Sequence, residues 1–466
     1  MDKEQIKSNL LAVREGLRKL MVSRPYMLFI SVLAGVLFIF NLAHVSLWIF
    51  LTLIGICFLI YKEFTPTFLH FNVMWMTLLK LYGAKPHDFF HVIPLLCVLV
   101  ICFIAHFVMY KKSFRSGKLL WAHIAVSVAL IFGGLFSISA EAYFKPTALF
   151  YVLGLSVGMV AIYILGRSCI GADEGIDVMR IFTDSLFFIG VTGVIMTASA
   201  AIPAVLTGES YSIQWSNNLS AFMAFALPVP FYYVVKYERK VLYFITGVLF
   251  YLATFFTLSR GGMLYSTFIV AVSAIFSIVF CKSKKVSLIL TAVSAFCFIA
   301  AVCAVIREFD ALAEALKISP NEARVNMFKL AIANFKKFPV FGTGIGFYGD
   351  FYHPQEGAMY WYHSTPFQII GSMGTVGIIA YTYQFFVRLK VLLTGRNAIN
   401  YALLIAFVGF ELLALVNPGD FVPVPFVMNL TLMFAYVEYF NTLKLPENEL
   451  LVPVTKLKKQ PRITVA

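Results

Sequence analysis

Apolar residues occur along this chain in long runs, separated mostly by short polar connections. The runs lie near residues 26–41, 44–61, 67–82, 90–110, 119–138, 147–166, 181–206, 219–235, 241–258, 262–280, 286–306, 364–387, 398–417 and 421–440. A bilayer core about 30 Å thick takes roughly 20 apolar residues as one helical span. The pattern predicts an all-α polytopic membrane protein of about 14 transmembrane helices. About 12 is the alternative, because the run at 67–82 contains His70, Asn72 and Lys80 and the first two runs are closely spaced.

The composition agrees with this pattern. Of the 466 residues, 60% are hydrophobic and 13% are charged, and the mean hydropathy is +0.85. That is too little polar surface to cover a water-soluble globule of this size. We therefore expect a transmembrane region at 26–306 and C-terminal transmembrane helices at 364–440.

The segment 1–25 is charged, and it precedes the first apolar run, so we expect no cleavable signal peptide. Its apolar residues recur at helical spacing with cations between them, which is typical of an interfacial amphipathic helix. The apolar positions are Ile6, Leu10, Val13, Leu17 and Leu20, and the cations are Lys7, Arg14, Arg18 and Lys19. The alternative is a solvated basic tail.

The formal net charge of +14 is concentrated in alternate connections. These carry Lys111, Lys112, Arg115 and Lys118; Lys236, Arg239 and Lys240; Lys282, Lys284 and Lys285; and Arg388, Lys390 and Arg396, and further cations lie in the tail 441–466. By the positive-inside rule, both termini are expected in the cytoplasm of a multi-pass protein of a bacterial inner membrane. The cations then mark orientation and contact anionic lipid, and we expect no nucleic-acid partner.

One connection, 307–363, is far longer than the others and lies on the outer side by this topology. Ser319, Pro320 and Glu322 form a capping box, which predicts a helix that runs to about Lys337 and lies on the membrane surface. A flexible glycine run at 341–346 is expected to follow. We interpret 307–363 as a functional extracytoplasmic loop, because long loops without function are uncommon.

Three residues are candidates for chemistry. Arg260 lies between Ser259 and two glycines, where a ligand can approach closely; a single boundary arginine often only extends to the interface. His363 precedes a span, and Arg324 lies on the loop helix; the ordinary interpretations are an interfacial anchor and a solvated cation. The topology brings all three to one face, where two guanidinium groups can neutralise a pyrophosphate and an imidazole can deprotonate a sugar hydroxyl.

Aromatic residues at 348–362, among them Tyr348 and Trp361, are suited to stack on sugar faces, although an aromatic belt explains them equally well. The outer loop has no acidic pair for a divalent metal, and the chain has no Walker or G-x-S-x-G motif. We expect a transfer that needs no metal and no cofactor.

These motifs resemble those of the O-antigen ligase family, which also includes polysaccharide polymerases. The elements are His363-Ser364 followed by Gly374 and Gly377; Ser259-Arg260-Gly261-Gly262; Arg324 followed by Pro339-Val340-Phe341-Gly342-Thr343-Gly344; and Asn217-Asn218-Leu219-Ser220. They keep the family's order and spacing over roughly 210–385. Ser364 replaces a commoner asparagine, and the predicted total of about 14 spans exceeds the family's usual twelve.

The resemblance implies a GT-C-like membrane glycosyltransferase that moves an oligosaccharide from an undecaprenyl-pyrophosphate carrier to an acceptor hydroxyl outside the cytoplasm. His363 would activate the acceptor, and Arg260 and Arg324 would hold the leaving pyrophosphate. Asn218, Ser259, Tyr348 and Trp361 are possible substrate contacts. A transporter or flippase for a lipid-linked glycan is the main alternative, and a structural scaffold is the third.

Overall fold

A computed structural model describes residues 3–81, 86–111, 113–135, 146–173, 175–208, 213, 216–237, 239–307, 322–346, 361–395 and 397–443. Its helices are α1 Lys3–Met21, α2 Arg24–Ile39, α3 Ala43–Ile60, α4 Thr65–Leu78, α5 Ile93–Tyr110, α6 Leu120–Phe132, α7 Pro146–Leu153, α8 Met159–Cys169, α9 Val178–Thr207, α10 Ser216–Ala226, α11 Val229–Lys236, α12 Lys240–Phe255, α13 Arg260–Phe280, α14 Lys284–Arg307, α15 Glu322–Lys337, α16 Thr365–Thr394, α17 Ala398–Ala414 and α18 Val424–Phe440.

The predicted fold class is confirmed: the described residues form an all-α polytopic membrane protein with no strand. Each of the apolar runs overlaps a helix. Seven helical segments are long and apolar enough to cross a membrane, or eight if a bent pair, 11–21 with 24–39, is counted as one span. Four shorter apolar helices, α6, α12, α17 and α18, are also present. The count of about 14 crossings stays a prediction.

The core forms where α9 and α18 meet α4 and α10. The rings of Phe182 on α9 and Tyr436 on α18 lie 4.2 Å apart between centroids, and both side chains are buried. Phe225 on α10 stacks on Phe426 of α18 at 5.4 Å. Close packing of such rings supplies the dispersion contacts that hold helices together in lipid, where the hydrophobic effect between helices is absent.

Helix α16 covers the apolar run predicted at 364–387, but it is broken within its length. Gly374 has φ 59° and ψ −147°, which is not a helical conformation. Two contacts show how far the chain folds back: Asp420 donates its backbone N–H to Thr365 Oγ1 (3.5 Å), and its carboxylate accepts from Arg388 (3.0 Å). In a straight helix, Thr365 and Arg388 would be about 35 Å apart. The arms 365–373 and 375–394 therefore form a helical hairpin with Gly374 at its apex.

The hairpin also corrects the interpretation of Arg388 as a cation of a cytoplasmic connection. Its side chain is 4% exposed within α16 and lies over the ring of Phe434 at 5.5 Å. Asp420, which is 6% exposed, neutralises it. A sequence pattern counts a cation near the end of an apolar run as a loop residue, whereas the folded chain buries this one in an ion pair.

The glycine run is buried and hydrogen-bonded, so the expectation of a flexible segment is wrong. The break at Gly374 frees backbone groups of α16, and the segment 339–344 pairs with them. Thr343 and Gly344 donate to the carbonyls of residues 371 and 372 at 2.9 Å each, and the amides of residues 375 and 376 donate to those of Pro339 (2.8 Å) and Val340 (3.1 Å). Unsatisfied backbone groups are costly away from water, so the two irregular segments stabilise each other.

Candidate functional site

Arg260 is held at the first residue of α13 by a capped helix start. Ser259, which is 2% exposed, accepts the Gly262 N–H with its hydroxyl oxygen at 3.0 Å and donates to Asn217 Oδ1 at 2.5 Å. Leu258, just before it, has φ 60°, a strained conformation for a side chain of its kind. The guanidinium-bearing residue itself is exposed. The cap thus sets the backbone rigidly while Arg260 remains accessible.

Helix α10 packs directly against this helix start. A Cβ added at Gly262 would lie 2.9 Å from the Ser220 side chain, so only glycine allows the approach. Tyr265 donates its hydroxyl to the backbone carbonyl of Ser220. The two motifs, 217–220 and 259–262, are therefore one packed unit, although about 40 residues separate them.

Helix α15 carries Arg324 and packs along the first arm of α16. The ring of Phe328 stacks on Phe367 at 4.2 Å with an 8° angle between planes, and Ala331 is fully buried in the same contact. The helix ends at Lys337, which confirms the predicted end; Ser319 and Pro320 of the capping box lie outside the described residues. One apolar side of this helix packs against α16. Its predicted position on the membrane surface stays a prediction.

His363 occupies a strained position at the start of α16. Its φ is 52°, and such positive values are uncommon for residues with a side chain, although histidine tolerates them better than most. The flanking backbone is fixed: Tyr362 donates its N–H to Gln368 Oε1 (3.0 Å), and Gln368 donates its own N–H to the Ser364 carbonyl (2.8 Å). Asn334 of α15 donates to the Tyr362 hydroxyl at 2.7 Å. Strain held by surrounding contacts is typical of functional positions.

The three candidates are electrostatic neighbours. Burial lowers the pKa of Arg324, and the positive charge of Arg260 lowers it further. Burial likewise lowers the pKa of His363, with an additional contribution from the charge of Arg324. Both Arg324 and His363 are about half-buried, where charges act on one another more strongly than in water. Arg324 thus lies within electrostatic range of both Arg260 and His363, and the assignment of the three residues to one site stays a prediction.

The remaining candidates differ in their surroundings. Asn218 is 9% exposed on α10, next to Asn217, and Ser259 holds the α13 cap. Trp361 is half-buried and contacts the ring of Tyr151 edge-on at 5.2 Å. Tyr348 lies outside the described residues. No described contact tests these four as substrate ligands, so that role stays a prediction.

One protein-family model, described as O-antigen ligase, matches residues 242–382. These residues are an O-antigen ligase family domain. It begins in α12, ends in α16 and contains Arg260, Arg324 and His363. A search of curated proteins and a search of solved structures find no match. The domain supports a glycosyltransferase-type function in a multi-pass membrane protein of polysaccharide biosynthesis.

Two polar residues that the sequence analysis did not single out hold Tyr362, next to His363. Gln368 accepts the backbone N–H of Tyr362, and Asn334 donates to its hydroxyl. Gln368 is a polar residue in the first turn of an apolar run, and Asp420 is an acid between apolar runs. A polar side chain inside such a run is costly in a membrane, which is the signal that could have identified Gln368. Asp420 lies between two runs, where the pattern carries no such signal.

A cleft of about 410 Å³ opens between the two arms of α16 and the end of α17, beside the site. Its lining is apolar apart from six polar residues, Thr365, Tyr381, Thr382, Arg388, Glu411 and Asp420. Thr365 lies two residues from His363, so the cleft reaches the edge of the candidate site. A cleft with apolar walls and a few polar groups is the usual form of a small-molecule site.

The described residues contain no group of three or more His, Cys, Asp or Glu side chains that could hold a metal ion. The polar groups that converge in the site are instead two guanidinium groups and an imidazole. Guanidinium groups bind phosphate oxygens in a bidentate way, and a histidine with a lowered pKa is neutral near pH 7 and can accept a proton. The arrangement is therefore suited to hold a diphosphate beside a proton acceptor.

Proposed function

We propose that this protein transfers an oligosaccharide from an undecaprenyl-pyrophosphate carrier to an acceptor hydroxyl on the extracytoplasmic face of a bacterial inner membrane, with both termini in the cytoplasm. The reaction would be that of an O-antigen ligase or a related surface-polysaccharide polymerase. It would require no metal. The observation that supports the proposal most directly is the mutual electrostatic effect of Arg260, Arg324 and His363.

In the proposed reaction, the His363 imidazole accepts the proton of the acceptor hydroxyl. The acceptor oxygen forms a bond to the anomeric carbon of the donor sugar, while the bond from that carbon to the diphosphate oxygen breaks. The carrier diphosphate leaves with the bonding electrons, and Arg260 and Arg324 stabilise the negative charge that develops on it. General-base catalysis of this kind contributes about 10²–10⁴-fold to a rate.

The repulsion between Arg260 and Arg324 favours the binding of a diphosphate at this site. The charge of Arg260 lowers the pKa of Arg324, so the two cations are held near each other by the fold rather than by mutual attraction. A dianionic or trianionic diphosphate relieves that repulsion when it binds. A site whose cations repel each other is thus preorganised for an anionic headgroup.

The test is transfer by purified full-length protein in proteoliposomes that contain carrier-linked oligosaccharide and an acceptor glycan. The readout is release of undecaprenyl pyrophosphate together with extension of the acceptor. We expect Arg260→Ala, Arg324→Ala and His363→Asn each to reduce transfer by at least about 100-fold. Asparagine suits position 363 because it tolerates a positive φ but is no base near neutral pH.

The matched control is Lys285→Ala, which removes an exposed cation elsewhere on the chain. It should transfer at the wild-type rate, and all variants should insert and purify alike. Wild-type transfer by the His363→Asn variant would contradict the role of that residue. Movement of intact donor between leaflets without release of the diphosphate would instead favour the flippase.

A further inference from the structure

A second cationic site lies outside the O-antigen ligase domain, where α1, α2 and α9 meet. An open pocket of about 560 Å³ is lined by Lys19, Val22, Ser23, Arg24, Arg180 and Tyr237. Three of these six residues are cations, and no acid is among them. The proposed transfer reaction does not use this pocket.

The charges next to the pocket are only partly balanced. Asp184, which is 1% exposed, accepts from Arg24 at 2.9–3.1 Å and from Arg180 at 3.4 Å, so one carboxylate serves two guanidinium groups. With Lys19, the group has three positive charges and one negative charge. A buried carboxylate that is shared in this way leaves a net positive potential at the pocket wall.

The neighbouring acids lie outside the pocket lining. Asp173 pairs with Arg18 at 2.5 Å, and Asp177 accepts the backbone N–H of Arg180 at 3.0 Å as the cap of α9. The charged residues that line the pocket itself are therefore all cations.

The guanidinium groups are oriented and still accessible. Arg24 lies over the ring of Tyr237 at 5.0 Å and keeps 40% of its side chain exposed, while Arg180 keeps 34% exposed. Stacking on an aromatic ring restricts a guanidinium to one plane. Two accessible, restricted guanidinium groups beside a flexible ammonium form a suitable cradle for one phosphate group.

The angle between α1 and α2 indicates that this phosphate would belong to a membrane lipid. Residues 11–21 of α1 and the apolar helix α2 meet at an angle of 67°. Leu11, Val13, Leu17 and Leu20 of α1 are between 39% and 60% exposed. An amphipathic helix that lies across the end of a spanning helix runs along the bilayer surface with its apolar residues in the lipid. The junction of the two helices is then at the depth of the phospholipid headgroups.

We propose that Lys19, Arg24 and Arg180 bind the phosphate of an anionic membrane phospholipid. The lipid would fasten α1 to the bilayer surface, since its phosphate bridges α1 to α2 and α9 while its acyl chains pack beside the apolar residues of α1. Each cation near an anionic surface contributes about 1 kcal/mol, so the loss of one corresponds to about a fivefold loss of affinity.

Binding is tested on full-length protein in zwitterionic detergent by native mass spectrometry during titration with phosphatidylglycerol or phosphatidylcholine. We expect wild-type protein to prefer phosphatidylglycerol, and Lys19→Gln and Arg180→Gln each to weaken its binding about fivefold. Lys19 is exposed and lines the pocket, whereas the described side-chain partners of Asp184 are Arg24, Arg180 and Tyr233, so the Lys19 variant tests the site without removing a partner of Asp184. Lys285→Gln, a change to an exposed cation on α14, is the control and should keep the wild-type affinity.

A parallel titration adds excess inorganic phosphate before the lipid. Phosphatidylglycerol that still binds supports a lipid site, because the acyl chains add affinity that free phosphate lacks. Displacement of the lipid by inorganic phosphate alone would overturn the proposal in favour of a soluble phosphate ligand. Undiminished preference for phosphatidylglycerol in both pocket variants, or equal loss in Lys285→Gln, would also overturn it.

Discussion

Replacement of Gly374 by alanine tests whether the break in α16 organises the candidate site. The glycine has φ 59° and ψ −147°, a region that residues with a side chain essentially never adopt. A Cβ there would lie 2.6 Å from the Pro339 carbonyl oxygen and 2.7 Å from the Val340 carbonyl carbon. These are backbone atoms, so the clash cannot be relieved by a change of rotamer.

The magnitude follows from these contacts. A side chain in this backbone region costs about 1–3 kcal/mol. Displacement of the segment 339–344 would weaken the two hydrogen bonds that residues 375 and 376 donate to Pro339 and Val340, at about 0.5–1.5 kcal/mol each. The expected total is about 2–6 kcal/mol of folding free energy. Because α15 leads directly into this segment, Arg324 should also move relative to His363.

The assay is thermal unfolding of the detergent-purified variant, followed by transfer in proteoliposomes. Gly154→Ala is the matched control, since a Cβ at Gly154 meets no atom within 4 Å and its φ is not positive. We expect Gly374→Ala to lower the melting temperature and the transfer rate, and Gly154→Ala to change neither. A Gly374→Ala variant with wild-type stability and wild-type transfer would refute the hairpin and its role.

Three further predictions concern the site and its supports. Burial and the charge of Arg324 lower the pKa of His363, so the transfer rate should fall only below the ordinary histidine pKa of about 6.5. Arg324→Gln removes that charge and should shift the acidic side of the pH–rate profile of the residual activity to higher pH; an unshifted profile would contradict the coupling. Ser259→Ala should cost about 1 kcal/mol of stability through loss of the α13 cap, and Ser259→Thr should cost less, by thermal unfolding. Asp420→Asn should cost about 3–5 kcal/mol because it leaves the buried charge of Arg388 without its counter-ion, and Arg388→Met in the same chain should recover part of that loss.

The sequence alone indicates the helices well because their determinants are local. The length of each apolar run sets a possible span, and the end of α15 at Lys337 follows from the proline two residues later. The order and spacing of the motifs likewise indicate the family, and the match over residues 242–382 confirms that resemblance. These features need no knowledge of which helices touch.

The conformation of α16 depends on partners that are distant in sequence. The apolar run at 364–387 has the composition of one straight span, and a glycine inside it does not by itself break a helix. The break at Gly374 exists because the segment 339–344 supplies hydrogen bonds to the backbone groups that it frees, and because Arg388 and Asp420 join the returning arm to the α17–α18 connection.

The candidate site, like α16, combines features that the sequence indicates with features that only packing sets. Residue type and predicted membrane side select Arg260, Arg324 and His363 as candidates. Packing then sets their surroundings: Asn217 holds Ser259, Asn334 holds the Tyr362 hydroxyl and Gln368 holds the Tyr362 backbone. Such side-chain hydrogen bonds join residues from different helices, and hydrophobic periodicity carries no information about them. Chain-local patterns determined which groups are available, and only the tertiary structure decided their surroundings.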